Sequence, residues 1–156
     1  MKLGVVVVGK VKGALADAVA DYEARARRYW KLSVTEVAAG AAGGEAAAER
    51  VREAEAERIL ARIPAGLDVI ALTRFGKPMG SRELAAHLAE LGTRSSPGVC
   101  FVIGGAYGLH ESVLRRAGRT LSLSELTLPH EMARLVLAEQ LYRAGTIVRG
   151  EPYHKG

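Results

Sequence analysis

Apolar residues fall along this chain in two rhythms. Leu3 to Val8, Val69 to Thr73 and Val99 to Ile103 are short continuous runs rich in β-branched residues, the pattern of strands buried on both faces of a parallel sheet. Leu32 to Ala38 and Thr120 to Leu126 alternate well enough to predict two more strands. Leu15, Val19, Tyr22, Ala26 and Tyr29 recur at helical spacing with charged residues between them, so an amphipathic helix follows the first strand. A flexible loop is expected over Gly40-Ala41-Ala42-Gly43-Gly44, then a charged helix from Glu45 to Ile63, stopped by Pro64-Ala65-Gly66. Ser81 is expected to cap a helix running to about Leu91, and His110 to Ala117 a shorter one. Thr127 can cap the last helix, with Pro129 in its first turn, and that helix runs to about Ala144 before a polar tail over 149–156. Repeated strand–helix alternation predicts an α/β fold, a single domain over 1–156 with a mostly parallel sheet and helices on both faces.

The last helix departs from the simple amphipathic pattern. Met132, Leu135, Val136, Leu137, Ala138, Leu141 and Tyr142 leave a narrow polar stripe of Arg134, Glu139, Gln140 and Arg143. Such a helix needs cover on more than one side. A homodimer is therefore expected, burying the face that carries Leu135, Val136 and Leu141; the alternative is a helix tucked against its own sheet.

Composition narrows the class. The 156 residues are 49% hydrophobic and 25% charged, which excludes a disordered chain, and a single Cys100 excludes a disulfide scaffold and suits a reducing cytoplasm. No apolar run has the ~18 residues of a membrane helix, and Leu3 to Val8 is too short for a secretory signal. The net charge of +5 is spread along the chain with no polybasic tail; it permits a polyanionic partner without demanding one.

The familiar site motifs are missing. There is no phosphate-binding G-x-x-x-x-G-K-[ST] loop, no G-x-G-x-x-G after the first strand, no nucleophile elbow, and no zinc spacing among His87, His110, His130, His154 and Cys100, so no metal is expected. What remains clusters after the last three strands. Adjacent glycines in Ile103-Gly104-Gly105-Ala106-Tyr107-Gly108-Leu109 allow a ligand close to the main chain at the sheet edge where α/β folds bind ligands, although a tight strand-to-helix turn explains them equally. Leu121-Ser122-Leu123-Ser124-Glu125-Leu126-Thr127-Leu128-Pro129-His130 reads as a strand passing into a helix cap. Thr73-Arg74-Phe75-Gly76-Lys77-Pro78 reads as a surface loop. The tail, with Arg149, Tyr153, His154 and Lys155, combines cations, an aromatic ring and an imidazole; it suits RNA, or is a solvated chain end.

Together these segments resemble a known family. Met1-Lys2-Leu3 with Val7-Val8-Gly9-Lys10, Gly76-Lys77-Pro78, Ile103-Gly104-Gly105 with Gly108-Leu109, Leu121 to His130, Glu139-Gln140-Leu141-Tyr142-Arg143-Ala144 and Pro152-Tyr153-His154 are similar to the ribosomal RNA large-subunit methyltransferase H family of the SPOUT superfamily, over the whole chain. The resemblance implies a C-terminal trefoil knot, a homodimer and a cytoplasmic enzyme. Its activity would be transfer of the methyl group of S-adenosylmethionine to N3 of a pseudouridine in 23S ribosomal RNA within the assembled ribosome. It implies cofactor binding by Leu72, Gly104, Leu123, Ser124, Glu125, Leu126, Thr127 and Leu128, with Glu125 contributing through its main chain.

The N3–H of the base must lose its proton, so a general base is needed. His154 is the candidate base, Arg143 the candidate stabiliser of charge on the flanking carbonyl oxygens, and Tyr153 a stacking or hydrogen-bonding partner of the base. A phosphate contact is the other reading of His154. The competing functions are a SPOUT-fold methyltransferase for another RNA nucleotide and a non-catalytic ribosome-binding factor.

Overall fold

The structure is a computed structural model that describes residues 1–41 and 47–155. Five strands, β1 (Lys2–Val8), β2 (Lys31–Val37), β3 (Asp68–Pro78), β4 (Gly98–Ile103) and β5 (Arg119–Ser122), form one sheet in the order β2-β1-β4-β3-β5, with every pairing parallel. The helices are α1 (Ala16–Ala26), α2 (Ala48–Arg62), α3 (Ser81–Thr93), α4 (Glu111–Arg116) and α5 (His130–Val148); a 3₁₀ turn over Gly13–Leu15 leads into α1.

The period-two geometry of a strand sends alternate side chains to opposite faces. Leu3, Val5 and Val7 of β1 join Phe101 and Ile103 of β4 and Ile70 and Leu72 of β3 under α1, α3 and α5. Val6 and Val8 join Cys100, Val102 and Val69 under α2 and α4. Because both faces are covered, all six residues of β4 are buried, which is why its sequence runs apolar without alternation. Burial also pushes the Cys100 thiol up to about 11, so it acts as a packing residue.

Several expected boundaries move. β3 continues through Arg74 to Pro78 after a register shift between Leu72 and Lys77, so the expected surface loop is the irregular far end of a strand. β5 stops at Ser122, and Leu123 to Leu126 leave the sheet where strand was expected. Ser81 is the first residue of α3 and donates its hydroxyl to Gln140 Oε1; the residue ahead of it, Gly80, gives its N–H to Glu83 Oε1 at 3.3 Å. Pro129 occupies the cap position of α5, where Thr127 was expected. Part of the expected Gly40–Gly44 loop and the start of the expected Glu45–Ile63 helix lie at 42–46, outside the described residues.

The face assigned to a partner also changes. Leu141 is 1% exposed within its own protomer, where Trp30 Nε1 donates to its carbonyl at 2.9 Å. α5 takes much of its cover from α1 and α3, leaving Leu135 and Val136 half-buried and Met132 exposed. Its polar stripe is also partly internal. Arg134 Nε and Nη2 donate to Glu23 Oε2 and Oε1 at 2.8 and 3.2 Å, and Nη1 donates to Glu36 Oε2 at 2.6 Å. Arg134 and Glu23 are both buried, so removing the guanidinium strands a carboxylate in the core. Arg134→Ala is expected to cost about 3–5 kcal/mol in urea unfolding at neutral pH; a loss below about 1 kcal/mol would mean that water replaces the cation freely.

Candidate active site at the carboxyl ends of the last three strands

A cavity of about 420 Å³ opens where β3 and β4 end and where the chain leaves β5. That volume lies within the usual range of small-molecule sites. Its wall includes Leu72 to Phe75, the loop Gly104 to Leu109, the segment after β5 and the first turn of α5 at His130 and Ala133. Of the cofactor positions expected from the sequence, Leu72, Gly104, Leu123, Ser124, Leu126, Thr127 and Leu128 line the cavity. Glu125 does not, and it is exposed.

Local hydrogen bonds shape each segment. Ser122 donates its hydroxyl to Arg74 O and Ser124 O, at 3.2 and 3.0 Å, tying the irregular end of β3 to the chain leaving β5. Ser124 Oγ accepts from Leu126 N at 3.0 Å and curls that chain into a turn. On the β4 side, Gly108 N donates to Gly105 O at 3.1 Å, and Gly108 has a φ of 81°, which favours glycine. Gly104 packs so closely on this turn that a Cβ there would lie 2.9 Å from the Gly108 carbonyl carbon. Buried Glu55 supports the loop from below: Oε2 accepts from Gly40 N at 2.9 Å, and a Cβ at Gly105 would touch both carboxylate oxygens.

The wall is apolar at its base, through Leu72 and Ile103, and carries Arg74 and His130; among the described residues no carboxylate lines it. His130 places Nε2 against Gly9 at the end of β1, buried and without a hydrogen-bond partner, with Glu131 Oε1 4.0 Å away. The sequence places Arg74, Phe75, Tyr107 and His130 within candidate segments but assigns none of them an individual role. Arg74 and Phe75 read as loop, Tyr107 as part of a glycine turn, and His130 as a helix start, so only convergence in space marks them.

Arg143, Tyr153 and His154 lie elsewhere. Arg143 Nε donates to Glu139 Oε1 at 2.6 Å and its guanidinium sits 4.9 Å from the Tyr153 ring centroid. Tyr153 packs on Tyr142 with centroids 4.5 Å apart, and burial with a hydrogen bond to Tyr22 pushes its phenol up to about 12. His154 Nδ1 is buried without a partner. None of the three lines the cavity. At 1.5 Å per helical residue, Tyr142 is about 18 Å along α5 from His130 at the cavity wall. Within one protomer the tail thus rests on Tyr22 of α1 and Tyr142 of α5 through Tyr153, and none of the three residues lines that protomer's own cavity.

Among the described residues the group nearest to a metal-ligand set is Glu49, Glu53 and His110. Both imidazole nitrogens are engaged, Nδ1 by Ser112 N at 3.0 Å and Nε2 by Glu49 Oε1 at 3.2 Å, and Arg52 holds Glu49 at 2.7 Å. The arrangement caps α4.

The family model described as predicted SPOUT methyltransferase matches residues 1–154. A protein of Gemmatimonas aurantiaca named ribosomal RNA large subunit methyltransferase H is 53% identical over 156 residues, spanning 99% of this chain and 100% of its own. One of the same name from Syntrophotalea carbinolica is 48% identical over 99% of each chain. Among solved structures, a probable methylase family protein from Haemophilus influenzae superposes with a TM-score of 0.52 at 15% identity, covering 99% of this chain and 70% of that one, a likeness of fold.

Proposed function

Because the chain belongs to the ribosomal RNA large subunit methyltransferase H family of SPOUT methyltransferases, we propose that it transfers a methyl group from S-adenosylmethionine to N3 of a pseudouridine in 23S ribosomal RNA on the assembled ribosome. The observation that carries this reading is the cavity built by Leu72, Gly104 and the segment Leu123 to Leu128. Its size suits a nucleoside cofactor, and its leucines form an apolar slot for an adenine ring. Main-chain amides and carbonyls around Thr127 supply the hydrogen bonds that read the ring's edge. Bound there, S-adenosylmethionine supplies an electrophilic methyl group on sulfur.

The chain's own task is to remove a proton and hold the base. Arg143, Tyr153 and His154 are assigned that task, yet none of them lines the cavity of its own protomer. We therefore assign them to the cavity of a partner subunit in a homodimer that also covers Met132, Leu135 and Val136. In this assignment neutral His154 accepts the N3 proton, Arg143 stabilises the charge developing on the carbonyl oxygens, and Tyr153, a neutral phenol, packs on or donates to the base. The same reading includes a single domain over 1–156, the family's C-terminal knot, no metal and a cytoplasmic location. No described helix is long and apolar enough to cross a membrane.

The test is mass spectrometry of ribosomal RNA from a strain lacking the protein, beside the same RNA after incubation of its ribosomes with purified protein and S-adenosylmethionine. One methyl group is expected to vanish from a 23S pseudouridine and to be restored. Restoration on a different nucleotide, or none, would overturn the assignment.

A further inference from the structure

The mouth of the cavity carries a second feature, in which Phe75 and Tyr107, which the cofactor reading does not use, stand beside Leu126 of the cofactor segment. Phe75 is 81% exposed, Tyr107 52% and Leu126 74%, and all three line this one cavity. Single apolar side chains at a surface are ordinary. Three that come from three separate segments, the irregular end of β3, the loop after β4 and the chain after β5, and that converge on one opening are a patch.

We infer that Phe75 and Tyr107, with Arg74, form a stacking platform for an unpaired base of the RNA substrate at the mouth of the cavity; the inference rests on the RNA methyltransferase reading above. The Arg74 guanidinium lies 4.3 Å from the Phe75 ring centroid and covers part of the ring while most of it faces solvent. Phe75 N donates to Thr73 Oγ1 at 3.3 Å, a local turn that presents the ring outward. Tyr107 projects from the tip of the Gly105–Gly108 turn, and its carbonyl accepts from Arg52 Nη1 at 3.3 Å.

Charge selects the occupant. No carboxylate lines the cavity among the described residues, Arg74 stands at its edge, and the chain carries a net +5. An aromatic surface flanked by arginine suits a nucleobase, whose faces stack and whose phosphate is anionic. Arg74 favours an anionic nucleotide over a purely aliphatic surface of a second copy of this chain. The adenine of the cofactor belongs deeper, against buried Leu72 and Ile103.

The experiment compares wild type with Phe75→Ala, Phe75→Leu and Tyr107→Ala, each checked for fold by circular dichroism. Affinity for purified ribosomes, affinity for S-adenosylmethionine by calorimetry and mass by light scattering are measured for each. Phe75→Ala and Tyr107→Ala are expected to weaken ribosome binding about tenfold or more. Phe75→Leu is expected to lose as much as Phe75→Ala, because it keeps apolar area without a π face. Cofactor affinity and mass should stay at wild-type values. Unchanged ribosome affinity in Phe75→Ala, full retention by Phe75→Leu, a fall in cofactor affinity or a fall in mass would each overturn the platform. If wild type binds ribosomes yet transfers no methyl group, the proposed function fails, and the same binding comparison still decides the platform.

Discussion

Gly104→Val is expected to weaken S-adenosylmethionine binding about 100-fold while the far-UV circular dichroism of the sheet and helices stays that of the wild type. The size follows from strain: forcing a side chain into a packed position costs about 1–3 kcal/mol, and about 100-fold lies toward the upper end of that span. A Cβ at 104 would lie 2.9 Å from the Gly108 carbonyl carbon, 3.0 Å from its oxygen and 3.0 Å from Leu109 Cδ2. Two of those atoms are backbone and cannot rotate away. The turn that forms one wall of the cavity must move, and valine adds two methyl groups to the displacement. On sequence grounds this glycine was a place where a ligand meets bare backbone; the structure adds that its own loop already occupies the space a side chain would need. Isothermal calorimetry on the folded variant is the check, and unchanged affinity would put the cofactor elsewhere.

A mixed dimer is expected to recover activity that neither parent has. His154→Ala should slow single-turnover methylation about 10²–10⁴-fold with little change in cofactor affinity, as loss of a general base does. Gly104→Val should show little activity at an S-adenosylmethionine concentration that saturates wild type but lies far below the weakened affinity just given. If each active site joins one protomer's cavity to the other's tail, a dimer of the two variants has one site with an intact cavity and an intact tail. Random re-pairing of equal amounts makes half the dimers mixed, with one good site of two, so about a quarter of wild-type activity should return. The motivating geometry is the separation of Arg143, Tyr153 and His154 from the cavity in a single protomer. Mixtures that stay as inactive as their parents, in dimers that light scattering and exchange measurements show to be mixed, would falsify the shared site. If His154 instead contacts phosphate, His154→Ala weakens ribosome binding, and the deficit shrinks at high salt.

Strands were legible wherever burial on both faces left no choice of residue. β1 and β4 lie in the middle of the sheet, where every position must be apolar, so Leu3 to Val8 and Val99 to Ile103 could be bounded to within a residue or so. The ends of β3 and β5 were not legible. Arg74 to Pro78 look like a loop because they are polar and glycine-bearing, yet Lys77 and Pro78 pair with Leu121 and Ser122 after a register shift. Leu123 to Leu126 alternate like strand, and the structure instead releases them at Ser122, whose hydroxyl bonds to Arg74 O and Ser124 O. A local pattern does not record which of two chains will supply a hydrogen-bonding partner.

The same division holds for the site. Gly104 and the Leu123 to Leu128 segment were marked as cofactor positions by the family resemblance, which rests on motifs along the chain. The fold class, both sheet faces and the membership of a methyltransferase family likewise follow from the order of residues alone. What tertiary structure decided was distance. It brought Phe75, Tyr107 and Leu126 together at one mouth, seated His130 against Gly9, put Leu141 inside its own protomer, set Tyr153 on Tyr142 with Arg143 over its ring, and left Arg143, Tyr153 and His154 off the cavity wall. The physical reason is that periodicity fixes which face of an element is buried, whereas the length and course of α5 fix what lies at each of its ends. Twelve residues of α5 separate His130 at the cavity wall from Tyr142 in the tyrosine cluster, and no pattern within the tail itself reports that separation.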